Sequence, residues 1–381
     1  MTSSHFDRLT LDDLRRRRSA KWQVYPDDVL PLWVAEMDVL PAPSVVDAVV
    51  DAMQRGDTGY AMEEPYREAL RAFAEDRWGW RFDVAASTTV ADVMRGAMEV
   101  IEQATRPGGG VVVSPPVYPP FFQFIAHSDR RVVEAPLGGD GRLDLDELER
   151  AFADATTDGP AAYLLCNPQN PTGTVHTRDE LIAVAELAGS YGVRVVADEI
   201  HAPLVLPGAE FIPYLGVAGD ADAVAVHSAS KGWNLPGLKA AVAVFGEAAR
   251  PDLARLPEIV PHGASHLGVI SHTAALRDGR DWLDTVIADI AANTRRFREL
   301  LAARLPGAVY RPGAATYLAW VDLRGVALGD DPAGRLLERG RVAVVAGPDF
   351  GTGGEGHVRV NLATSPSILE EAVDRMAASV G

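Results

Sequence analysis

The sequence predicts an α/β protein with a mostly parallel, seven-stranded sheet in a large domain, followed by a smaller α+β domain. Between about residues 88 and 245, short apolar segments alternate with segments whose apolar residues recur at helical spacing. The apolar segments are continuous, which is typical of parallel strands covered by helices on both faces. After about residue 280 the order changes to one long amphipathic helix followed by alternating strands.

The predicted elements of the large domain follow one another in a regular order. Helices at 43–55 and 64–78 have apolar residues spaced near 3.6 and are separated by a turn that contains Gly56 and Gly59. Predicted strands lie near 88 and at 111–113, 131–134, 161–166, 193–197, 223–227 and 240–245. Predicted helices lie between them at 92–105, 119–127, 144–153 and 178–190.

The regions on either side of the sheet have a different character. Residues 1–42 contain Pro26, Pro31 and Pro41, so we expect an extended amino-terminal arm that packs with the small domain. Residues 43–280 form the predicted large domain, and residues 281–381 form the predicted small domain. In the small domain a helix at 281–303 precedes strands at 309–323, 342–345 and 357–362 and a helix from Ser367.

Composition excludes several classes of protein. The 381 residues carry a formal net charge of −17, which argues against a nucleic-acid partner. Cys166 is the single cysteine, so no intrachain disulfide and no cysteine metal cluster can form, and we expect no metal site. No apolar run approaches ~18 residues, and residues 1–18 lack the apolar core of a signal peptide. We therefore expect a cytoplasmic protein without a membrane partner.

Lysine is rare in this chain, and its positions are informative. Three of the 36 lysine and arginine residues are lysines: Lys21, Lys231 and Lys239. The last two stand eight residues apart in a segment that begins at Ser228. A surface cation can equally be arginine, whereas a Schiff base requires a primary amine whose pKa can fall. Compositional bias toward arginine is the alternative explanation, and the motifs described next favour a reactive lysine.

Polar motifs follow two of the predicted strands, at the edge where parallel sheets bind ligands. The loop from Asn167 to Gly173 contains two Asn-Pro steps that stiffen it, and Asn170 can present an amide there. Asp198 and His201 follow the strand at 193–197. A carboxylate at the end of a buried strand needs a cation, and a protonated heterocyclic nitrogen would supply one. Alternatively, Asp198 caps a helix or a loop and His201 has a structural role.

Together these motifs resemble the pyridoxal-phosphate enzymes of the class I/II aminotransferase fold, known as fold type I, over nearly the whole chain. The resemblance is carried by the Asn-Pro-x-Asn-Pro-Thr-Gly loop, Asp198 three residues before His201, Ser-x-Ser-Lys, and Arg359. It implies pyridoxal 5'-phosphate as the cofactor, held by Lys231 through a Schiff base, with Lys231 also moving the substrate Cα proton. It further implies that Asp198 pairs with the pyridinium nitrogen and that Arg359 binds the substrate carboxylate.

The resemblance assigns the remaining site residues as well. Tyr118, counted with Lys231 and Asp198 among the catalytic residues, would stack on the cofactor ring. Asn170 and His201 would face its phenolic oxygen, and Asn170 would also contact substrate. The phosphate would be bound by Ser228, Ser230, Lys239 and the chain at Asp92 and Val93, where a helix begins. Tyr60 resembles a tyrosine that reaches the phosphate of a neighbouring subunit, which implies a homodimer with shared sites.

Asp92 departs from the pattern of the resemblance. Relatives usually offer glycine or serine amides at this turn, and a carboxylate that points inward would repel a phosphate dianion. We expect Asp92 to turn outward or to cap its own helix while backbone N–H groups face the phosphate.

Several stretches resemble the cystathionine β-lyase or cysteine-S-conjugate β-lyase branch. They are Lys21-Trp22, Leu32 to Asp38, Gly59-Tyr60, Ser114 to Tyr118, Asp198 to Leu204 and Ser230 to Asn234. The branch often has aspartate in place of Glu36 and histidine in place of Gln169. The implied reaction is an α,β-elimination that cleaves L-cystathionine or another cysteine S-conjugate to a thiol, pyruvate and ammonia. Candidates to line the substrate pocket are Trp33, Tyr60, Tyr118 and Trp233, with core packing as the alternative for the tryptophans.

Two other functions stay open at this point. An aminotransferase uses the same lysine but reprotonates the cofactor instead of expelling a leaving group, so it requires a keto acid. A regulatory protein that keeps the fold without turnover is the third possibility. The presence of Lys231, Asp198 and Arg359 argues against that possibility, as does the lack of a visible DNA-binding extension.

Overall fold

The structure is a computed structural model that describes residues 4–380. The strands are β1 (Leu30–Pro31), β2 (Ser87–Val90), β3 (Gly110–Val113), β4 (Arg131–Glu134), β5 (Ala161–Cys166), β6 (Val193–Asp198), β7 (Ala223–His227), β8 (Ala241–Phe245), β9 (Val309–Tyr310), β10 (Leu318–Asp322), β11 (Val342–Ala343), β12 (Val345–Ala346) and β13 (His357–Asn361). The helices are α1 (Leu11–Arg15), α2 (Ala20–Gln23), α3 (Pro43–Gln54), α4 (Glu64–Trp78), α5 (Val93–Ala104), α6 (Pro120–His127), α7 (Leu145–Ala155), α8 (Arg178–Tyr191), α9 (Tyr214–Val217), α10 (Arg250–Leu253), α11 (His266–Asp278), α12 (Arg280–Arg304), α13 (Pro332–Glu338) and α14 (Pro366–Ala378). Short 3-10 helices lie at His5–Asp7, Val84–Ala86, Ala202–Leu204, Pro261–Gly263 and Gly347–Phe350.

A seven-stranded sheet with the order β2-β8-β7-β6-β5-β3-β4 forms the centre of the protein. The pairs among β3, β4, β5, β6 and β7 are parallel, and β8 is antiparallel to both of its neighbours. The prediction of a mostly parallel, seven-stranded sheet is therefore confirmed.

The reversed strand β8 determines where the lysine-containing segment lies. Because β7 and β8 are antiparallel neighbours, the connection between them, residues 228–240, starts and ends at the same edge of the sheet. That edge is the carboxyl end of the parallel strands. The segment therefore lies beside the residues that follow β2, β3, β5 and β6.

Helices cover both faces of the central sheet, and side chains of each strand alternate between the two faces. Val112 packs in a core with residues of α4, α7 and α8, including Phe73, Phe152 and Leu181. Its neighbours Val111 and Val113 pack in the opposite core, against α5 and α6. Strands that are buried on both faces require continuous apolar sequence, which explains the pattern seen in the sequence.

A four-stranded antiparallel sheet with the order β12-β13-β10-β9 lies in the carboxyl-terminal part of the chain. Its core contains residues of α12 and α14 and also Leu14 and Trp22 from the amino-terminal segment. That segment also adds β1, which pairs in parallel with β11 through Leu30 and Val342. Residues 1–3 of the predicted arm lie outside the described residues. None of the helices within residues 4–380 has the length and apolar character needed to cross a membrane.

Three details of the sequence prediction differ from the structure. The single strand predicted at 309–323 is wrong, because β9 and β10 are separate and Thr316 between them has a φ of 71°. The strand predicted at 342–345 is split into β11 and β12, which pair with different strands. Helix α11 was not predicted; it buries the polar residues Ser271 and His272 beside Val269, so its amphipathic pattern is weak.

Candidate active site

Polar residues from successive connections meet at the carboxyl edge of the central sheet and line one cavity. From the predicted set, the lining contains Asp92, Val93, Tyr118, Asn170, Asp198, His201, Ser228, Ser230, Lys231 and Lys239. Ala35, from the amino-terminal arm, closes another side of the same cavity. The sheet topology therefore brings together residues that are separated by up to 204 positions in the sequence.

Hydrogen bonds fix the segment that carries Lys231. The Ser228 hydroxyl donates to the Ala240 carbonyl at 2.8 Å and accepts from the Ser230 amide at 3.1 Å, which joins the two ends of the segment. The Asn234 side chain bonds both the N–H and the carbonyl of Met37. The backbone around Lys231 is thus held from the sheet and from the arm.

Lys231 is partly buried, and its amine donates to the Ala35 carbonyl at 3.0 Å. Desolvation lowers the pKa of Lys231 to about 8; the guanidinium of Arg359 acts in the same direction, and the carboxylate of Asp198 opposes it. A neutral amine is a nucleophile and a base, so this environment favours both covalent capture of an aldehyde and proton transfer.

Asp198 is the last residue of β6 and is buried. Its Oδ1 atom accepts from the Ile200 amide at 3.1 Å. Burial raises the pKa of Asp198 to about 7. Within residues 4–380 the carboxylate forms no ion pair, and Lys231, which lines the same cavity, lowers the pKa of Asp198 by less than burial raises it, so the cost of burying the acid is only partly offset. A cationic ligand group would remove that cost.

Arg359 in β13 is a buried cation, as Asp198 is a buried acid. Its guanidinium forms no ion pair with a carboxylate of the described residues. It donates to Asn170 Oδ1 at 3.1 Å and to the Trp33 carbonyl at 3.0 Å, and its Nε group has no partner there. The guanidinium also lies 5.2 Å from the ring centroid of Phe350. Burial lowers the pKa of Arg359 to about 10, so it remains cationic at neutral pH.

Asn170 has a defined orientation because of Arg359. A guanidinium can only donate hydrogen bonds, so the side-chain oxygen of Asn170 must face it. The Nδ2 group of Asn170 is then the donor that remains for a ligand. His201 is neutral, because burial lowers its pKa to about 3, and its Nδ1 atom is buried without a protein partner among the described residues. Burial raises the pKa of Tyr118, which stays a neutral phenol.

Comparison with known proteins identifies the family. The profile of "Aminotransferase class I and II" matches residues 27–376. The chain belongs to this aminotransferase family. A Mycobacterium leprae protein named "Putative cystathionine beta-lyase" is 52% identical over 99% of this chain and 98% of its own length. The cystathionine beta-lyase of Corynebacterium glutamicum is 36% identical, over 96% of this chain and 98% of that protein.

A solved structure with a similar fold contains the cofactor that the sequence implies. The chain is similar to cystalysin from Treponema denticola, which contains a pyridoxal 5'-phosphate cofactor. The TM-score is 0.89 and the identity is 25%, with 100% of this chain and 99% of that chain covered.

The residues of the cavity fit pyridoxal 5'-phosphate. Lys231 would supply the amine for a covalent link, and the buried Asp198, which has no ion pair among the described residues, would suit a protonated ring nitrogen. At the phosphate end, Val93 and Met94 begin helix α5 and line the cavity, and their N–H groups have no intrahelical acceptor. Amides at a helix start and the Lys239 ammonium are suitable partners for a phosphate.

Asp92 modifies this phosphate end. Its Oδ1 atom accepts from the Arg95 amide at 2.9 Å, which is the helix cap that the sequence predicted. Its Oδ2 atom forms an ion pair with the Lys239 ammonium at 2.9 Å. Of the two expected orientations, the structure therefore has the helix cap and not the outward one: Asp92 lines the cavity and engages the cation that the phosphate would use.

Replacing Asp92 with asparagine is expected to tighten cofactor binding. Asparagine caps a helix as well as aspartate does, so the change removes only the charge. A partly exposed ion pair contributes about 1 kcal/mol at most, so we expect a Kd lower by about fivefold. The measurement is a cofactor titration followed by absorbance.

Asp83→Asn is the matched control, because Asp83 also caps a helix and pairs with an arginine, Arg250, away from the cavity. An Asp92→Asn variant that binds the cofactor no more tightly than Asp83→Asn would show that the carboxylate does not compete with the phosphate.

Some predicted residues do not meet the cavity. Tyr60 is 94% exposed and does not line it within this single chain. The substrate-pocket role considered for Trp233 is wrong, because its ring is fully buried against Phe73 and its Nε1 group donates to the Gly279 carbonyl. Trp33 contacts Arg359 through its backbone carbonyl, and its ring packs edge-on against Tyr25. A substrate contact by the Trp33 ring stays a prediction.

Two contacts of the site were not predicted from the sequence. The Ala35 carbonyl accepts a hydrogen bond from Lys231, and the same oxygen accepts one from the hydroxyl of Tyr317. Every residue has a backbone carbonyl, so the residue type at position 35 could not indicate this contact. Tyr317 lies at the start of a strand with apolar neighbours, where a tyrosine is usual.

Proposed function

We propose that this protein is a pyridoxal-phosphate-dependent carbon–sulfur β-lyase that cleaves L-cystathionine or another cysteine S-conjugate. The supporting observation is a pair of buried charges of opposite sign, neither forming an ion pair within residues 4–380: Asp198 lines the same cavity as Lys231, and Arg359 donates a hydrogen bond to Asn170, which also lines it. A cofactor with a cationic ring nitrogen and a substrate with a carboxylate would satisfy both. The names of the relatives, at 52% and 36% identity, favour elimination over transamination.

The residues perform distinct parts of this reaction. Arg359, oriented by its contacts with Asn170 and the Trp33 carbonyl, binds the substrate carboxylate. The bound cofactor withdraws electrons from the substrate Cα. The amine of Lys231 accepts the Cα proton. The Asp198 carboxylate stabilises the positive charge of a protonated ring nitrogen on the bound cofactor. The Cβ–S bond breaks, sulfur leaves as a thiolate that takes up a proton, and hydrolysis of the three-carbon remainder gives pyruvate and ammonia.

The test of this function uses L-cystathionine and purified protein supplied with the cofactor but with no keto acid. We expect pyruvate and thiol to form in equal amounts. S-alkylcysteines and common amino donors, assayed in parallel, define the substrate range. An aminotransferase would instead act only when a keto acid is added and would release no thiol. Bound cofactor with no turnover on any of these compounds would support a regulatory protein.

The pH dependence of cofactor capture tests the environment of Lys231. The neutral amine attacks the aldehyde, and its pKa is lowered to about 8 by burial. Below that pH the capture rate is therefore expected to rise by about tenfold per unit, and above it to level off. Stopped-flow absorbance with the cofactor-free protein between pH 6 and 10 measures this profile. A rate that still rises steeply at pH 10 would indicate an ordinary lysine.

We propose further that the protein is a homodimer with shared sites. Helix α3 exposes Val46, Val50 and Met53 along one face, and Tyr60 and Met62 follow it at 94% and 73% exposure. Apolar residues grouped in this way are typical of a protein interface. A second copy placed here would cover these side chains, and the resemblance then assigns Tyr60 of each copy to the phosphate of the other.

The assembly is tested by changing that face. Wild-type protein is expected to have twice the chain mass of 40.7 kDa in light scattering, and Met53→Asp is expected to shift it to a single chain. Ile182→Asp, on the exposed side of α8, is the control and should leave the dimer intact. A wild-type protein of one chain mass, or a dimer unaffected by Met53→Asp, would contradict this proposal.

A further inference from the structure

The carbonyl oxygen of Ala35 has two donors that differ in kind. One is the amine of Lys231, at 3.0 Å, and the other is the hydroxyl of Tyr317, at 3.1 Å. A carbonyl oxygen has two lone pairs, so both hydrogen bonds can exist at once. A Lys231 nitrogen linked to the cofactor would no longer be the free amine that donates to this oxygen here, whereas the Tyr317 hydroxyl would still be available to it.

Ala35 lies in the middle of an arm segment, residues 33–37, that has no regular secondary structure. Side chains replace the missing backbone pairing, because each carbonyl of the segment accepts from a side chain. The donors are Arg359 to Trp33, Asn361 to Val34 and Glu36, Lys21 to Glu36, and Asn234 and Arg17 to Met37, in addition to the two donors of Ala35. When Lys231 is bonded to the cofactor, Tyr317 is thus the side chain that remains to donate a hydrogen bond to the Ala35 carbonyl, at the centre of the arm segment.

The position of Tyr317 is itself tightly determined. The preceding residue, Thr316, has a φ of 71°, which is unfavourable for a β-branched side chain. Hydrogen bonds of its amide to the Leu204 carbonyl and of its hydroxyl with the Leu318 amide maintain this conformation. Strained backbone at a site of this kind is often linked to function.

The ring of Tyr317 is fully buried and packs edge-on against His201, with centroids 6.5 Å apart. Burial raises the pKa of Tyr317 above its ordinary value, so the phenol keeps its proton and remains a donor over the working pH range. A phenol in this environment has one well-defined hydrogen bond, and that bond is made to the carbonyl that receives Lys231.

We propose that Tyr317 is a positioning residue for Lys231. It fixes the Ala35 carbonyl so that the lysine amine, once released from the cofactor by substrate, has a hydrogen-bond acceptor in place and stays aligned for transfer of the Cα proton. This inference rests on the proposed cofactor chemistry of Lys231, and it holds for elimination and for transamination alike.

The test compares Tyr317→Phe with the wild-type holoenzyme. The principal readout is exchange of the Cα proton of L-alanine in D2O, followed by NMR, because it reports proton transfer by Lys231 without any leaving group. We expect exchange and kcat to fall by about tenfold, which is less than the ~10²–10⁴-fold that a proton-transfer group itself contributes because Tyr317 acts through Lys231, while KM changes by less than about twofold. Amide hydrogen exchange is expected to become faster in peptides that contain residues 33–37.

Tyr163→Phe is the matched control, because Tyr163 is also fully buried and loses one hydroxyl hydrogen bond, to Ser114, in the sheet core. It is expected to lower the melting temperature as much as Tyr317→Phe does without slowing proton exchange. The proposal is overturned if the two variants behave alike, or if Tyr317→Phe leaves alanine exchange at the wild-type rate. Failure of the lyase assignment would appear separately, as alanine exchange in wild type without thiol release from L-cystathionine.

Discussion

Replacing Lys231 with alanine is expected to lower the rate of pyruvate formation by ~10²–10⁴-fold or more, because the change removes both the covalent attachment and the proton-transfer group. Lys231 lines the cavity, and its amine has a pKa lowered to about 8 and the Ala35 carbonyl as its acceptor. The loss should therefore appear in kcat at saturating cofactor. Coupled assay of pyruvate gives the rate.

Chemical rescue separates this loss from a folding defect. A small primary amine added to Lys231→Ala can occupy the vacated space and accept the proton, so part of the activity should return in proportion to the concentration of the free base. Lys231→Arg keeps a cation but cannot act as a base at neutral pH, and it should not be rescued. Full activity of Lys231→Ala without an added amine would contradict the assigned role.

Replacing Asp198 with asparagine has the second-largest expected effect. Removal of one partner from a buried ion pair costs about 3–5 kcal/mol, which corresponds to a rate lower by ~10²–10⁴-fold if the pair is needed in the transition state. In this structure Asp198 is buried, with a pKa raised to about 7, and its charge is available to a ligand cation. The comparison of kcat at saturating cofactor measures the effect, and the absorption spectrum of the bound cofactor should change with it.

Two variants control for the loss of a carboxylate in general. Asp222→Asn removes an acid that pairs with Arg194 at the opposite edge of the sheet, before β7, and should retain activity. Asp198→Glu keeps the charge but displaces it, and should recover part of what the asparagine loses. If Asp198→Asn is as active as Asp222→Asn, Asp198 does not stabilise a charge on the cofactor.

The architecture could be predicted from the sequence because a strand that is buried on both faces of a sheet requires apolar residues. The central parallel strands had to be largely apolar, as in β5, and the helices between strands had to be amphipathic. The rule that ligands bind at the carboxyl edge then placed Asp198 and Asn170 together before any coordinates were known. Family resemblance added the roles of Lys231 and Arg359.

The contacts that could not be predicted from the sequence are set by the orientation of side chains and by backbone groups. The ion pair between Asp92 and Lys239 joins residues 147 positions apart and changes the charge available to a phosphate. The acceptor at Ala35 is a backbone atom, and the contact of Tyr317 with it depends on an unusual φ at Thr316. For Trp233 the sequence left substrate contact and core packing open, and the structure packs its ring against Phe73 of helix α4 in the core.

The most direct test is reduction with borohydride of the protein supplied with pyridoxal 5'-phosphate, followed by peptide mass mapping. With three lysines in the chain, the position of the label is unambiguous. The cofactor is expected on Lys231, because Lys21 is buried in its ion pair with Asp38 and Lys239 lies at the phosphate end of the cavity in its ion pair with Asp92. An unlabelled Lys231, or a label carried mainly by Lys239, would contradict the central claim that Lys231 holds the cofactor.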